Sequence, residues 1–320
     1  MAIFYFVAFF FIHVGDFAGA KITSKVFKNN TFSGVIATSV ISSIIAMIFF
    51  SLITQFNFYI DTRIVLHALI LTFNCFVSYI TGILVYNYIE ILLKSLLSGF
   101  LGIVVTVFVS TIVLKETFSF VVLVRMFLML SSVVISFLSR KNCVKNIKQT
   151  AVNTSKKNTK IGIFICVISA ILGGVGTINS RYLATYSVEV ELATSGTISK
   201  ALVLNSDYFL TNVMIFVISF IIVLFCLAKN RNFLKLNFGG IKPKYFIVMV
   251  SRTIFSNLGT FVRGLLQTIL PVLILSPVAN AITMISALIN SFMFREKITI
   301  LNIVSIVLSI GAAFLTLVNF

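Results

Sequence analysis

Apolar positions in this chain neither alternate with polar ones nor keep to one face of a helix. They come as nearly unbroken runs, near 2–20, 31–54, 64–85, 91–114 and 118–138, and after a polar break near 161–185, 208–228, 245–266, 270–294 and 298–319. Each run has the roughly 20 residues that a helix needs to cross the hydrocarbon of a bilayer, where every backbone N–H and C=O must be paired within its own segment. The pattern predicts an all-α integral membrane protein of ten transmembrane helices. Only Tyr245–Phe294 is not divided by the pattern itself, since no charged loop separates its two spans.

An internal repeat divides it. Thr106–Val134 (TVFVSTIVLKETFSFVVLVRMFLMLSSVV) lies without a gap over Ser286–Phe314 (SALINSFMFREKITILNIVSIVLSIGAAF), so that Glu116 meets Glu296, Lys115 meets Arg295 and Ser119 meets Thr299. Such self-similarity takes precedence over local readings. In both copies an apolar segment ends in basic–Glu–x–x–Ser/Thr and the next begins at once, which predicts helix, tight turn, helix. The same offset carries Leu265–Ile274 onto Val85–Lys94, a polar break holding Tyr86, Asn87, Glu90 and Lys94, so a turn is expected near Gly264–Pro271. Pro271 suits the first turn of the helix that follows.

The stretch Ser139–Lys160 (SRKNCVKNIKQTAVNTSKKNTK) has no apolar period and reads as a linker, 141–160, between a first five-helix repeat, 1–140, and a second, 161–320. The loops after the odd-numbered helices hold 18 Lys and Arg against about four after the even-numbered ones, which predicts cytoplasmic odd loops and external termini. Five spans per repeat make the second repeat inverted relative to the first. That architecture belongs to secondary transporters, whose substrate site lies near the midplane between repeats.

Composition sharpens this. The chain has 320 residues, 59% hydrophobic and only 10% charged, whereas soluble domains carry roughly 25% charged residues. The net charge of +17 sits between apolar spans and reports orientation, so no nucleic-acid partner is expected. The four cysteines form no C-x-x-C pair and indicate neither a metal site nor a disulfide framework. No cofactor motif is present. Metalloprotease, nucleophile-elbow and P-loop signatures are absent. His13–Val14–Gly15–Asp16 is similar to part of an intramembrane aspartyl protease signature, but Asp61 and Asp207 are expected in or near loops, so no second membrane aspartate is in sight and no enzyme is expected.

Ten helices in two inverted fives, each closing on the Lys115–Ser119 or Arg295–Thr299 turn, resemble the drug/metabolite transporter superfamily, in particular its EamA-type members. Leu275–Thr299 (LSPVANAITMISALINSFMFREKIT) is similar to the family's ninth helix, proline included, at Pro277. Leu97 stands at the equivalent place in the first repeat, and Val14–Gly15 where a tryptophan–glycine pair is common. The resemblance implies a multi-pass transporter of the cell membrane that moves small metabolites by alternating access around a cavity lined by helices 1, 3, 4, 6, 8 and 9. Protons are the candidate coupling ion, and the working unit a monomer or homodimer in the bilayer. The alternative is a flippase-like or accessory membrane protein handling lipid-linked carriers.

Candidate residues follow from the cost of polar groups in hydrocarbon. Asp16 is the one carboxylate expected well inside a span, and His13 shares its helix face, which together suit a proton relay or a cation site. Arg252 in helix 8 suits either an anionic substrate group or a structural pair with Asp16; Arg125 in helix 5 reads as structural or snorkelling. Asn74, Asn179, Asn257 and Asn280 suit substrate contacts or interhelical bonds. Glu116 and Glu296 read as turn residues that cap helix ends or pair with neighbouring basic side chains. Gly15, Ala18, Gly19, Gly173, Gly174 and Gly176 read as close-packing positions. Tyr79, Tyr86 and Tyr88 suit an interfacial belt, and 184–209 is expected to be the longest external loop, carrying Glu189, Glu191 and Asp207.

Overall fold

The computed structural model describes residues 2–26, 31–113, 120–145, 152–229, 243–270, 272–296 and 298–318. Among them the structure is all-helical: α1 (Ala2–Val26), α2 (Thr31–Ile53), α3 (Thr62–Leu84), a 3₁₀ turn at Val85–Asn87, α4 (Ile91–Val113), α5 (Phe120–Lys145), α6 (Val152–Ala193), α7 (Lys200–Lys229), α8 (Pro243–Ile269), α9 (Val272–Met293) and α10 (Ile300–Val318). The undivided stretch breaks where the repeat predicts, between Ile269 and Val272. Within the described residues, 160–193, 200–229 and 245–269 are long and apolar enough to cross a membrane, and six shorter apolar stretches accompany them.

Within the stretch read as a linker, α5 runs on to Lys145 and α6 starts at Val152, with the residues between outside those described. One expectation is corrected. The long loop expected at 184–209 shrinks to 194–199, since α6 persists through Ala193 and α7 starts at Lys200. Polar side chains there sit on helix faces, so their number mimics a loop without being one.

Helix ends are built from local hydrogen bonds. Phe56, Gly196 and Glu296 each donate their N–H back to the carbonyl five residues earlier, at 2.9, 2.8 and 2.9 Å. The residue preceding each, Gln55, Ser195 and Arg295, takes φ of 51°, 51° and 54°, the left-handed turn that ends a helix in a Schellman motif. Asp61, Ser199 and Thr299 cap the following helices by accepting from Ile64, Leu202 and Asn302 N–H at 2.8, 3.2 and 3.3 Å.

The chain divides into two compact units, each drawing helices from both sequence halves. The first comprises 1–83 and 179–269, the second 84–178 and 270–320. In the first, α1 packs on α8, and α2 on α7 and α8, around Phe50, Ile64, Leu71, Leu183, Leu204 and Tyr208. In the second, α4 packs on α9 and α5 on α10, the helices that the repeat pairs. Gly174 lets α6 approach α4, for a Cβ there would stand 2.4 Å from Val105 Cγ1.

Beside this apolar core, many large apolar side chains face outward and several polar ones lie inside. Large apolar side chains such as Phe11, Phe73, Phe108, Phe127, Phe164 and Phe225 are exposed, whereas Ser43, Ser132, Asn290 and Ser305 are fully buried. Several hydroxyls bond to the carbonyl one turn back: Thr72 on Ala68 (2.7 Å), Thr111 on Val107 (2.7 Å), Ser305 on Leu301 (2.8 Å).

Candidate functional site

Two acid–base pairs lie inside the first unit. The first is built by α1 and α8. Gly15 and Gly19, one turn apart on α1, present backbone to α8: a Cβ on Gly19 would fall 2.5 Å from Arg252 Cβ, and one on Gly15 would fall 2.5 Å from the Phe255 ring. Their expected packing role is therefore what the structure shows. That close approach places buried Arg252 beside Asp16, with Nε donating to Oδ1 at 3.4 Å. The bond is long, and Nη1 of Arg252 is buried with no hydrogen-bond partner among the described residues. Asp16 keeps 30% of its side-chain surface. His13 sits in an aromatic setting on α1, edge-on to Phe9 at 4.2 Å and tilted against Phe17 at 6.2 Å. Asn257 is used between helices, donating to Thr253 O at 2.9 Å and to Ser42 Oγ of α2 at 3.4 Å.

The second pair comes from α3, α6 and α7 and involves a residue that the sequence pattern places in a loop. Because Ser199 caps α7 and the helix starts at Lys200, Asp207 lies two turns in and is completely buried. Asp16 is thus not the sole carboxylate within an apolar helix. Nδ1 of His67, on α3, stands 3.8 Å from Asp207 Oδ1 and 3.3 Å from the amide nitrogen of Asn179 on α6. Neither carboxylate oxygen of Asp207 has a hydrogen-bond partner among the described residues, nor does Nε2 of His67. The Tyr182 ring lies parallel to the imidazole at 6.1 Å. One turn further along, Thr72 of α3 reaches the carbonyl of Thr211 on α7 at 3.3 Å. Asn74 lies near the middle of α3, its Oδ1 buried and without a hydrogen-bond partner among the described residues. His67 does carry a signal in the sequence: it is one of only two histidines in the chain and falls within an apolar run.

Toward the start of α3 the same elements end in a more solvated cluster. Asp61 accepts from Tyr59 and Tyr186 hydroxyls as well as from Ile64 N–H. Burial pushes its carboxyl up, but hydrogen bonds from Tyr186, Ile64 N–H, Tyr59 and Arg63 N–H outweigh it and hold the group below the usual carboxylate range. Arg63 lies over the Tyr186 ring at 5.1 Å and 3.9 Å from Glu189, both charges well exposed.

In the second unit, Glu296 caps a helix, but not one of those its own turn joins. Its carboxylate accepts from Ile91 N–H of α4 at 3.2 Å and from Ser291 Oγ at 3.1 Å, while Thr299 caps α10. Arg125 is buried on α5, so it does not snorkel, and Tyr86 is buried rather than part of a belt. Glu116, Pro271 and the side chains of Asn280, Pro277 and Tyr79 lie outside the described residues.

No family model matches the chain, and neither does any curated protein. What the arrangement can do therefore rests on its own geometry. An aspartic dyad needs two carboxyl groups sharing one proton, and here Asp16 is bonded to Arg252 while Asp207 faces His67. A second aspartate does lie in a helix, contrary to the loop expected for Asp207, and each of the two is held against a different partner. Both pairs are instead suited to binding charge: a cation or proton at a carboxylate, an anion at the Nη1 edge of Arg252.

Proposed function

We propose that the chain is a secondary transporter of small metabolites, built from ten membrane spans in two inverted five-helix repeats like those of the drug/metabolite transporters, and working by alternating access on an ion gradient. The observation that carries this reading is the presence of Asp16–Arg252 and His67–Asp207 inside helices whose outward faces are apolar. Ionisable groups at such depth are costly, and in membrane proteins they mark substrate or ion pathways. The repeat supports the same reading, since inverted repeats are a transporter architecture.

The test is substrate-dependent proton flux in proteoliposomes, with pooled amino acids, nucleobases, sugars and organic cations, and Asp16→Asn in parallel. Flux that requires a substrate is expected, with a reduced rate in the variant. Silence across all pools from correctly folded protein would reject the reading in favour of lipid-linked carriers. Labelling of cysteines placed at the termini should find both on the external side.

A further inference from the structure

We propose that His67 and Asp207 form the proton-binding site of the transport cycle, holding one exchangeable proton between imidazole Nδ1 and the Asp207 carboxyl group, with Asn179 registering which of them has it. The proposal rests on the transport reading above for its role, but its geometry stands independently.

A carboxylate removed from water without hydrogen bonds is expensive, so it must be neutralised by a proton or by a counter-charge. Asp207 has neither oxygen bonded, and among the described residues the base within 4 Å is His67. The pair is neutral overall in two forms, carboxyl with neutral imidazole or carboxylate with imidazolium. Loss of the one shared proton leaves a net negative charge in the unit's interior. That charge must be compensated by a cation entering or by the site opening to water, and this requirement is what couples a proton to substrate or to conformation.

Asn179 decides between the two neutral forms. Its amide nitrogen lies 3.3 Å from Nδ1, nearer than the carboxylate at 3.8 Å. An Nδ1 that accepts from the Asn179 amide carries no proton, and in that form of the neutral pair the shared proton is on Asp207. The imidazolium form would turn Nδ1–H from Asn179 to Oδ1. Because Asn179 is on α6, His67 on α3 and Asp207 on α7, the proton's position is felt by three helices at once.

The other groups around the pair leave it this freedom. On α3, Cys75 is in electrostatic reach of Asp207. On α7, Tyr208 adjoins Asp207 and directs its hydroxyl to Thr260 O of α8 at 3.4 Å, and the charge of Arg263 acts on Tyr208. Tyr182 is the facing group on α6, and α2 contributes no ionisable side chain. Thr211 Oγ1 is buried one turn after Asp207, without a hydrogen-bond partner among the described residues.

The experiment uses the full chain in lipid nanodiscs with ¹⁵N-labelled histidine, so that only His13 and His67 give imidazole signals, assigned with His67→Gln. The expected result is a His67 protonation midpoint that shifts in Asp207→Asn and returns towards its original position in Asp207→Glu. An identical midpoint in Asp207→Asn would overturn the shared proton. Should Asp207→Asn fail to fold, infrared spectra of chain carrying carboxyl-labelled aspartate replace it: a protonated-carboxyl band that changes with pH and is altered in His67→Gln supports the pair, and its indifference to His67 overturns it. In proteoliposomes Asp207→Asn should lose substrate-driven proton flux while keeping substrate counterflow. Flux that persists in Asp207→Asn overturns the assignment alone, whereas absence of flux in the unmodified chain overturns the transport reading and leaves the spectra to judge the proton site.

Discussion

The α1/α8 pair and the α3/α7 pair put an acid against a base in the same unit, yet they are held in opposite ways. Asp16 and Arg252 are bonded to each other, and the acid reaches the surface of the unit. His67 and Asp207 are both buried and just beyond hydrogen-bond distance, each with atoms unsatisfied. Each pair carries an unsatisfied atom, Nη1 of Arg252 in the first and both Asp207 oxygens and His67 Nε2 in the second, and buried charge left unsatisfied is a standing cost. The difference is one of degree of satisfaction: Asp16 is held by a bond from Arg252, whereas neither oxygen of Asp207 is bonded among the described residues.

The largest effect should break this comparison by sign. Asp16→Asn strands a buried guanidinium and is expected to lower stability by about 3 kcal/mol, read as a drop in Tm in nanodiscs, with Asp16→Asn/Arg252→Met recovering most of it. Asp207→Asn removes a carboxyl that makes no hydrogen bond and should leave Tm unchanged or raised. A comparable loss from both would erase the distinction.

Next, Gly19→Val should cost about 2 kcal/mol by forcing α8 away from α1, because the colliding atom is Arg252 Cβ, close to the backbone and unable to swing aside. Solvent exposure of Phe255 and Arg252 by hydrogen exchange on α8 would report it, and the His67 signal should stay put.

A smaller effect concerns the solvated cluster. Asp61 is held below the usual carboxylate range when folded, so its contribution is present above the unfolded aspartate pKa and is lost as pH falls through the lower folded value. Tyr186→Phe removes one of the stabilising bonds and should cost about 1.5 kcal/mol at neutral pH. The cost should vanish in acid, so acid unfolding curves of variant and parent converge. The smallest effect is Arg63→Ala, whose exposed pair with Glu189 should be worth below about 0.5 kcal/mol, with no change at either buried pair.

Of the candidate site, only the first pair is legible in the sequence. Asp16 and Arg252 stand out as charges in apolar runs, and their mutual pairing is one of the two roles that the sequence leaves open for Arg252. Glu296 reads as a cap, but its partner Ile91 lies 205 residues away and no turn geometry could name it. Asp207 escapes the pattern because Asn205, Ser206 and Asp207 follow one another and imitate a loop; all three are buried on α7, with Tyr59 N–H donating to Ser206 Oγ at 2.9 Å.

What the chain determines by itself is where most helices and several of their turns lie, since the length of an apolar run and the capping residues beside it are local properties. The break between Ile269 and Val272 is also local, read through the repeat. Tertiary structure alone decides which polar groups meet. Whether Asp207 faces His67, or Arg252 lies over Gly19, depends on the rotation and depth of each helix against neighbours far away in sequence. Hydropathy, which averages over all faces of a helix, carries no record of that rotation.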